Sequence, residues 1–189
     1  DIRVFKGRTS TGVRGMRLGK GDRVIALSVL EGQTASSEER RAYLKVAPWK
    51  SHAEDDAAEE TDGGADDSDT VLAPERVAEM AAGEQFTLAV TANGFGKRSS
   101  SYAYRTTGRG GSGIANIATS ERNGPVVYSG PVADSDQLML LTDKGQIIRI
   151  RAGDIRIAGR HTQGVILFRV DEDEQVVSVA PIPESEADV

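Results

Sequence analysis

The chain has 189 residues, 38% hydrophobic, 28% charged and 5% aromatic, with 21 glycines, no cysteine and a formal net charge of −6. No stretch approaches the roughly 20 apolar residues of a membrane span, the opening DIRVFKGRTS lacks the apolar segment of a secretory signal, and a chain without cysteine has no disulfide framework or thiolate chemistry. His52 and His161 are too few for a histidine zinc site, so the expectation is a soluble intracellular protein without a metal. The charge is segregated, with +5 over residues 1–30, −9 over 31–83, +5 over 84–170 and −7 over 171–189, so the acidic total hides two basic blocks.

In chain order, DRVIALSVL at 22–30 is rich in β-formers and predicts a strand. SSEERRAYLKVA at 36–47 opens with a Ser-x-x-Glu signal, Ser36 to Glu39, and predicts a capped helix. Residues 51–70 hold nine carboxylates and no large apolar side chain. They cannot bury enough surface to offset the entropy of ordering, which predicts a disordered acidic insertion. Pro74 starts a second helix, PERVAEMAA at 74–82. Beyond it the chain reads as short strands between Gly, Asn and Asp turns: QFTLAVT (85–91), QLMLLT (137–142), QIIRIR (146–151) and QVVSVAPI (175–182).

These strands repeat. Thr91 and Thr142, Gly94 and Gly145, Gly108 and Gly159, and Gly113 and Gly164 are each 51 residues apart. A third copy of the glycine motif, GRTSTGV at 7–13, precedes GRGGSGI at 108–114 by 101, so removing about 50 residues between 31 and 83 restores the period. The resulting organisation is the end of one blade at 1–30, the acidic insertion with its flanking helices at 31–83, blades at 84–134 and 135–182, and an acidic tail at 183–189. A period near 50 with four strands per unit is that of a propeller-like array.

GRGGSG at 108–113 spells GxGxxG, yet a dinucleotide loop opens a helix and IANIAT after Gly113 is strand-like. Gly7, Gly12, Gly108, Gly113, Gly159 and Gly164 are read instead as marks of a turn repeated in each copy. Gly110 has no counterpart in the other copies and reads as incidental. The arginines keep phase as well: Arg8, Arg109 and Arg160 are equivalent, Arg98 matches Arg149, and Arg105 matches Arg156. Equivalent residues of successive repeats share a face, so these form a track along one rim, to which Arg14, Arg17, Lys20 and Lys97 add. A rim of this kind without aromatic stacking motifs suits the sugar–phosphate backbone of duplex DNA. Pairing of some arginines with Asp134, Asp143 or Asp154 between blades is an equally weighted alternative.

FKGRTSTGVRGMRLGKGDRVIAL, NGFGKRSSSYAYRTTGRGGSGI and TDKGQIIRIRAGDIRIAGRHTQGVILF closely resemble the C-terminal DNA-wrapping domain of the DNA gyrase A protein. The resemblance covers the chain apart from the insertion and the tail. It implies an all-β fold, a β-pinwheel of four-stranded antiparallel blades that exchange strands with their neighbours, here as two full repeats plus part of a third. It also implies a basic rim that wraps duplex DNA and so supports ATP-dependent negative supercoiling. The implied partners are duplex DNA, the remainder of the gyrase A protein, and the gyrase B protein in an A2B2 heterotetramer. The implied location is the bacterial cytoplasm, with no membrane contact. ATP and Mg belong to other domains of that assembly, and no cofactor, metal or catalytic residue is assigned to this chain. Tyr43, Tyr102, Tyr104 and Tyr128 lie outside any cleavage-domain context and are read as packing or surface residues. The gyrase heptapeptide of the Gln-Arg-Arg-Gly-Gly-Lys-Gly type has no match, which keeps two alternatives open: the C-terminal DNA-bending domain of the topoisomerase IV A protein, and a protein-binding propeller scaffold. The acidic insertion and tail are expected either to compete with DNA for the rim or to be solvated linkers.

Overall fold

The computed structural model describes residues 3–31, 34–52 and 70–184. The segment predicted to be a disordered insertion lies almost wholly outside the described residues, as does most of the acidic tail.

Seven strands are described: β1 (Phe86–Thr91), β2 (Phe95–Ser100), β3 (Val126–Val132), β4 (Gln137–Thr142), β5 (Ile147–Arg151), β6 (Val165–Ile166) and β7 (Val176–Ile182). They form two antiparallel sheets, β3-β1-β2-β6 and β5-β4-β7. The second repeats the first at the period read from the sequence. Each has a hairpin turned by a left-handed glycine, Gly94 at φ 77° and Gly145 at φ 83°. Each has a register shift at the same place, between Val90 and Thr91 against β3 and between Leu141 and Thr142 against β7. The fourth strand of the first sheet comes from the following repeat: Val165 and Ile166 pair with Gly96 and Phe95 of β2.

The sheets share one core of Leu88, Val90, Val132, Leu138, Leu140, Val176 and Val179. Along β4 buried Leu138, Leu140 and Thr142 alternate with half-buried Gln137, Met139 and Leu141, the two-residue period by which a strand sends successive side chains to opposite faces. β2 differs, being buried over all six residues: β1 lies along one edge, and β6 and then residues 156–158 lie along the other.

A helical lobe makes a second core. α1 (Ser37–Val46) has the predicted capping box: Glu39 N–H donates to Ser36 Oγ at 3.2 Å and Ser36 N–H to Glu39 Oε2 at 2.8 Å, filling two of the donors a helix start leaves open. α2 (Pro74–Ala82) begins on Pro74 and is closed by Gly83. Tyr43, Ala47 and Met80 pack on Tyr102, which stands in a 3₁₀ turn, Ser101–Ala103, directly after β2. The Tyr43 and Tyr102 rings meet edge to face at 5.1 Å. The Glu84 carboxylate, two residues before β1, accepts from Tyr43 Oη at 2.7 Å and Trp49 Nε1 at 3.1 Å. The lobe is thereby keyed to the base of the first sheet.

Two predicted strands do not form. Residues 22–30 are not paired into a sheet, and Val24, Ile25, Leu27 and Val29 are exposed. The counterpart β3 is a strand because it lies against β1. Among the described residues no strand lies beside 22–30, and a ladder cannot form without a partner. IANIAT likewise has no paired strand among the described residues, whereas its counterpart β6 pairs with β2.

Candidate nucleic-acid interface

The glycine motif folds as a turn in all three copies. Its last glycine takes the left-handed conformation each time, Gly12 at φ 78°, Gly113 at 80° and Gly164 at 79°, which side chains beyond glycine enter only with strain. Its first glycine is different: Gly7, Gly108 and Gly159 do not adopt positive φ. The carbonyls of Gly7 and Gly159 close the turn, accepting from Ser10 N–H at 3.4 Å and Thr162 N–H at 3.3 Å.

Gly110 is not incidental. It too is left-handed, at φ 77°, and its N–H donates to the Gly15 carbonyl at 2.8 Å, while Arg17 N–H donates to the Gly111 carbonyl at 2.8 Å. These two bonds tie the first and second copies of the motif together. They bring the backbone of Arg14 and Arg17 beside that of Arg109, with all three side chains exposed. Comparing the copies with one another misses this glycine, because its role is a contact between copies and not a feature of each.

The phased basic residues divide by burial. Arg8, Arg14, Arg17, Lys20, Arg105, Arg109, Arg149 and Arg156 are exposed. Lys97, Arg98 and Arg160 are not, and they leave the predicted rim. Lys97 is 0% exposed on β2, its Nζ donating to the Gly159 carbonyl. Arg98 is 4% exposed. Its guanidinium donates to the Ile155 carbonyl at 2.8 Å, the Gly153 carbonyl at 3.0 Å and Asp134 Oδ1, and it lies 5.5 Å from the Phe86 ring centre. This is the pairing with Asp134 that the alternative reading offered. Arg160 donates to the Ala115 carbonyl at 2.9 Å and stands 5.9 Å from the Tyr104 ring centre, clamping the third copy of the motif onto the second.

Arg98 and Arg149 share a phase and have opposite fates. Arg98 is covered because residues 153–158 of the next repeat pack beside β2: Arg98 bridges Ile157 in parallel, with Arg98 N–H donating to the Arg156 carbonyl and Ala158 N–H to the Arg98 carbonyl. On β5, Ile147, Arg149 and Arg151 face outward while Ile148 and Ile150 pack on the core, the two-residue alternation of a strand. Arg151 is a second exposed cation there that phase reasoning missed, since its repeat partner is Ser100. The two-residue alternation of QIIRIR carried the signal.

Tyr104 is the junction beneath the 105–113 loop. Its carbonyl accepts from Arg40 Nη1 of α1 at 3.1 Å, its ring lies against Arg160, and its Oη donates to Asn116 Oδ1, whose Nδ2 donates to Ser129 Oγ of β3 at 3.1 Å. Burial pushes the Tyr104 phenol above its ordinary value of 10.0, so it stays protonated and keeps donating. Nothing in the sequence singled out Tyr104 or Arg40 as a rim support.

The family model described as DNA gyrase C-terminal domain, beta-propeller, matches residues 1–31, 85–132 and 136–183. Among curated proteins the chain is 51% identical over 195 residues to the DNA gyrase A protein of Granulibacter bethesdensis, covering 98% of this chain and 21% of that relative. It is 49% identical over 188 residues to the DNA gyrase A protein of Rickettsia bellii, covering 100% of this chain and 20% of the relative. The chain thus spans about one fifth of the length of these relatives. Among solved structures, the crystal structure of the C-terminal domain of DNA topoisomerase IV matches with a TM-score of 0.50 and 23% identity, over 54% of this chain and 32% of that one, a likeness of fold alone. Matched over more than half of its residues, and with blades that exchange a strand between repeats, the chain belongs to the DNA gyrase C-terminal beta-propeller family.

Proposed function

We propose that this chain is the non-catalytic DNA-binding and DNA-wrapping part of a DNA gyrase A protein. It acts on duplex DNA in the bacterial cytoplasm and supports ATP-dependent negative supercoiling by an assembly with the rest of that protein and with the gyrase B protein, in which the cleaving tyrosine, ATP and Mg belong to other domains. The observation that carries this reading is the two-bond ladder between Gly110–Gly111 and Gly15–Arg17, which unites basic loops from two repeats. With Arg14, Arg17 and Arg109 exposed beside it, and Arg8 and Lys20 exposed nearby in sequence, this surface suits a polyanion.

Guanidinium and ammonium groups on a phosphate backbone release condensed counterions, and log K falls by about 0.9 per log unit of salt for each phosphate neutralised. Four contacts, from Arg14, Arg17, Lys20 and Arg109, give an expected slope of about −3.6. Fluorescence anisotropy of two labelled duplexes of unrelated sequence, titrated with the 189-residue chain between 50 and 200 mM salt, tests this. Equal affinities falling steeply with salt support it. No binding at the lowest salt, or affinity indifferent to salt, refutes it. The curated relatives, named as gyrase A proteins, favour supercoiling over the decatenation expected of a topoisomerase IV domain.

A further inference from the structure

The 105–113 loop carries two exposed basic side chains, Arg105 and Arg109, on a stretch with no regular secondary structure. Its C-terminal half is held by the ladder to Gly15 and Arg17. Its start is Tyr104, and the helical lobe reaches that residue. Arg40 donates to the Tyr104 carbonyl through Nη1 at 3.1 Å, while Nη2 donates to Ser37 Oγ at 3.3 Å and Nε to the Ser36 carbonyl at 3.4 Å. The guanidinium therefore bridges the first turn of α1 and the root of the loop. α1 is itself fixed: Arg76 of α2 pairs with Glu39 at 2.9 Å and with Glu79 at 2.8 Å, and Tyr102 Oη donates to the Met80 carbonyl at 3.0 Å. A continuous path runs from α2 through α1 and Arg40 to Tyr104, and from Tyr104 to β3 through Asn116 and Ser129.

We infer that the helical lobe is a strut for the basic loop, with Arg40 and Tyr104 as positioning residues that hold Arg105 and Arg109 in the geometry in which they meet phosphate. The lobe is an interruption of the repeat, absent between the second and third copies of the motif, so it gives one loop a support that the 51-residue period does not supply to the others. Holding a loop in its binding geometry beforehand raises affinity by lowering the ordering cost of association, without adding a contact. This separates positioning from contact. Loss of a phosphate contact lowers the salt slope by about one, whereas loss of preorganisation lowers affinity equally at every salt concentration.

The inference rests on the DNA-binding reading for its affinity measurement and not for its exchange measurement. In the 189-residue chain, Arg40→Met removes the bridge from the lobe side, and Tyr104→Phe removes the bond to Asn116 while keeping the ring under Arg160. In both variants, amide exchange at Gly110 and Arg17, whose N–H groups close the ladder, is expected to quicken about fivefold, the worth of one net hydrogen bond, with β1 amides unchanged. Duplex affinity is expected to fall by a similar factor with the salt slope preserved. Trp49 emission matching the parent protein shows that the lobe has stayed folded in Arg40→Met; should that variant lose it, Arg40→Lys, which keeps the charge but not the fork that bridges α1 and the Tyr104 carbonyl, decides. Unchanged exchange at Gly110 and Arg17 overturns the strut. A slope reduced by about one in Arg40→Met also overturns it, by showing that Arg40 itself touches phosphate. If the parent chain binds no duplex, the DNA-binding reading fails, and the exchange rates still decide whether the lobe supports the loop.

Discussion

Replacing Arg98 with alanine is expected to destabilise the fold while leaving the salt dependence of DNA binding untouched, the opposite of what its phase with Arg149 suggests. The guanidinium is buried and donates to two backbone carbonyls, those of Ile155 and Gly153. Hydrogen bonds from a charged donor contribute about 1.5 kcal/mol each at the low end of their range. The ion pair adds little, because Asp134 is 71% exposed and a half-solvated pair is worth about 1 kcal/mol at most. Ile155 is 3% exposed, so its carbonyl loses its side-chain donor where water cannot easily replace it. Stacking over Phe86 contributes about 0.5 kcal/mol more. The total is about 4 kcal/mol, and at about 2 to 4 °C per kcal/mol for a chain of this size the melting temperature is expected to fall by about 8 to 16 °C. Far-UV circular dichroism melts of the parent chain and Arg98→Ala measure this directly. A melting temperature within about 2 °C of the parent, together with a salt slope lowered by about one, would refute the structural role and return Arg98 to the rim.

Arg109→Ala gives the mirror result: an unchanged melting temperature, and a salt slope less steep by about one in anisotropy titrations. Gly164→Ala places a Cβ 2.6 Å from the Gly96 carbonyl oxygen at a φ of 79° and is expected to cost about 3 kcal/mol in a chemical denaturation curve. Gly12→Ala, at φ 78° with nothing within 4 Å, costs only the left-handed penalty of about 1 kcal/mol. Glu84→Leu removes the acceptor shared by Tyr43 and Trp49 and is expected to loosen the lobe by about 2 kcal/mol, read as a red shift of Trp49 emission at lower denaturant. The Glu39 carboxyl is held below its ordinary value of 4.5, first by Arg76 and then by the Ser36 backbone. A carboxyl lowered in the folded state contributes stability above its unfolded value and loses it as pH falls through the folded one, so Trp49 emission is expected to report loosening of the lobe below about pH 4.5 and not above it.

Sequence reasoning reached the elements whose partners lie within the chain. The capping box set the start of α1 at Ser36, Pro74 set the start of α2, and QLMLLT matches β4 residue for residue. It failed where a strand needs a neighbour. DRVIALSVL has the composition of β3 and IANIAT occupies the place of β6, yet neither pairs, because propensity describes how a segment fits a sheet and cannot supply the adjacent strand. β2 was passed over for a related reason. FGKRSS is polar by composition, and its burial comes from flanking strands and from acceptors such as the Gly159 carbonyl for Lys97, all distant in sequence.

The same distinction governs the candidate site. A repeat period assigns each residue a position within its unit, and on that basis Arg98 and Arg149, or Arg109 and Arg160, are interchangeable. Burial depends on a second variable, whether a neighbouring repeat packs against that position. Residues 153–158 pack in parallel beside β2 and bury Arg98; among the described residues no segment lies beside the outer edge of β5, and Arg149 and Arg151 face outward. Arg160 is buried against Ala115 and Tyr104 of the preceding copy, while Arg109 stays exposed. Phase alone therefore does not decide an arginine's surroundings: Arg98 and Arg160 donate to carbonyls of a neighbouring repeat, while their phase partners Arg149 and Arg109 are exposed. The sequence period alone predicts an even track of charge, and the structure turns it into a ladder-joined patch on the first two motif copies, flanked by a buried clamp.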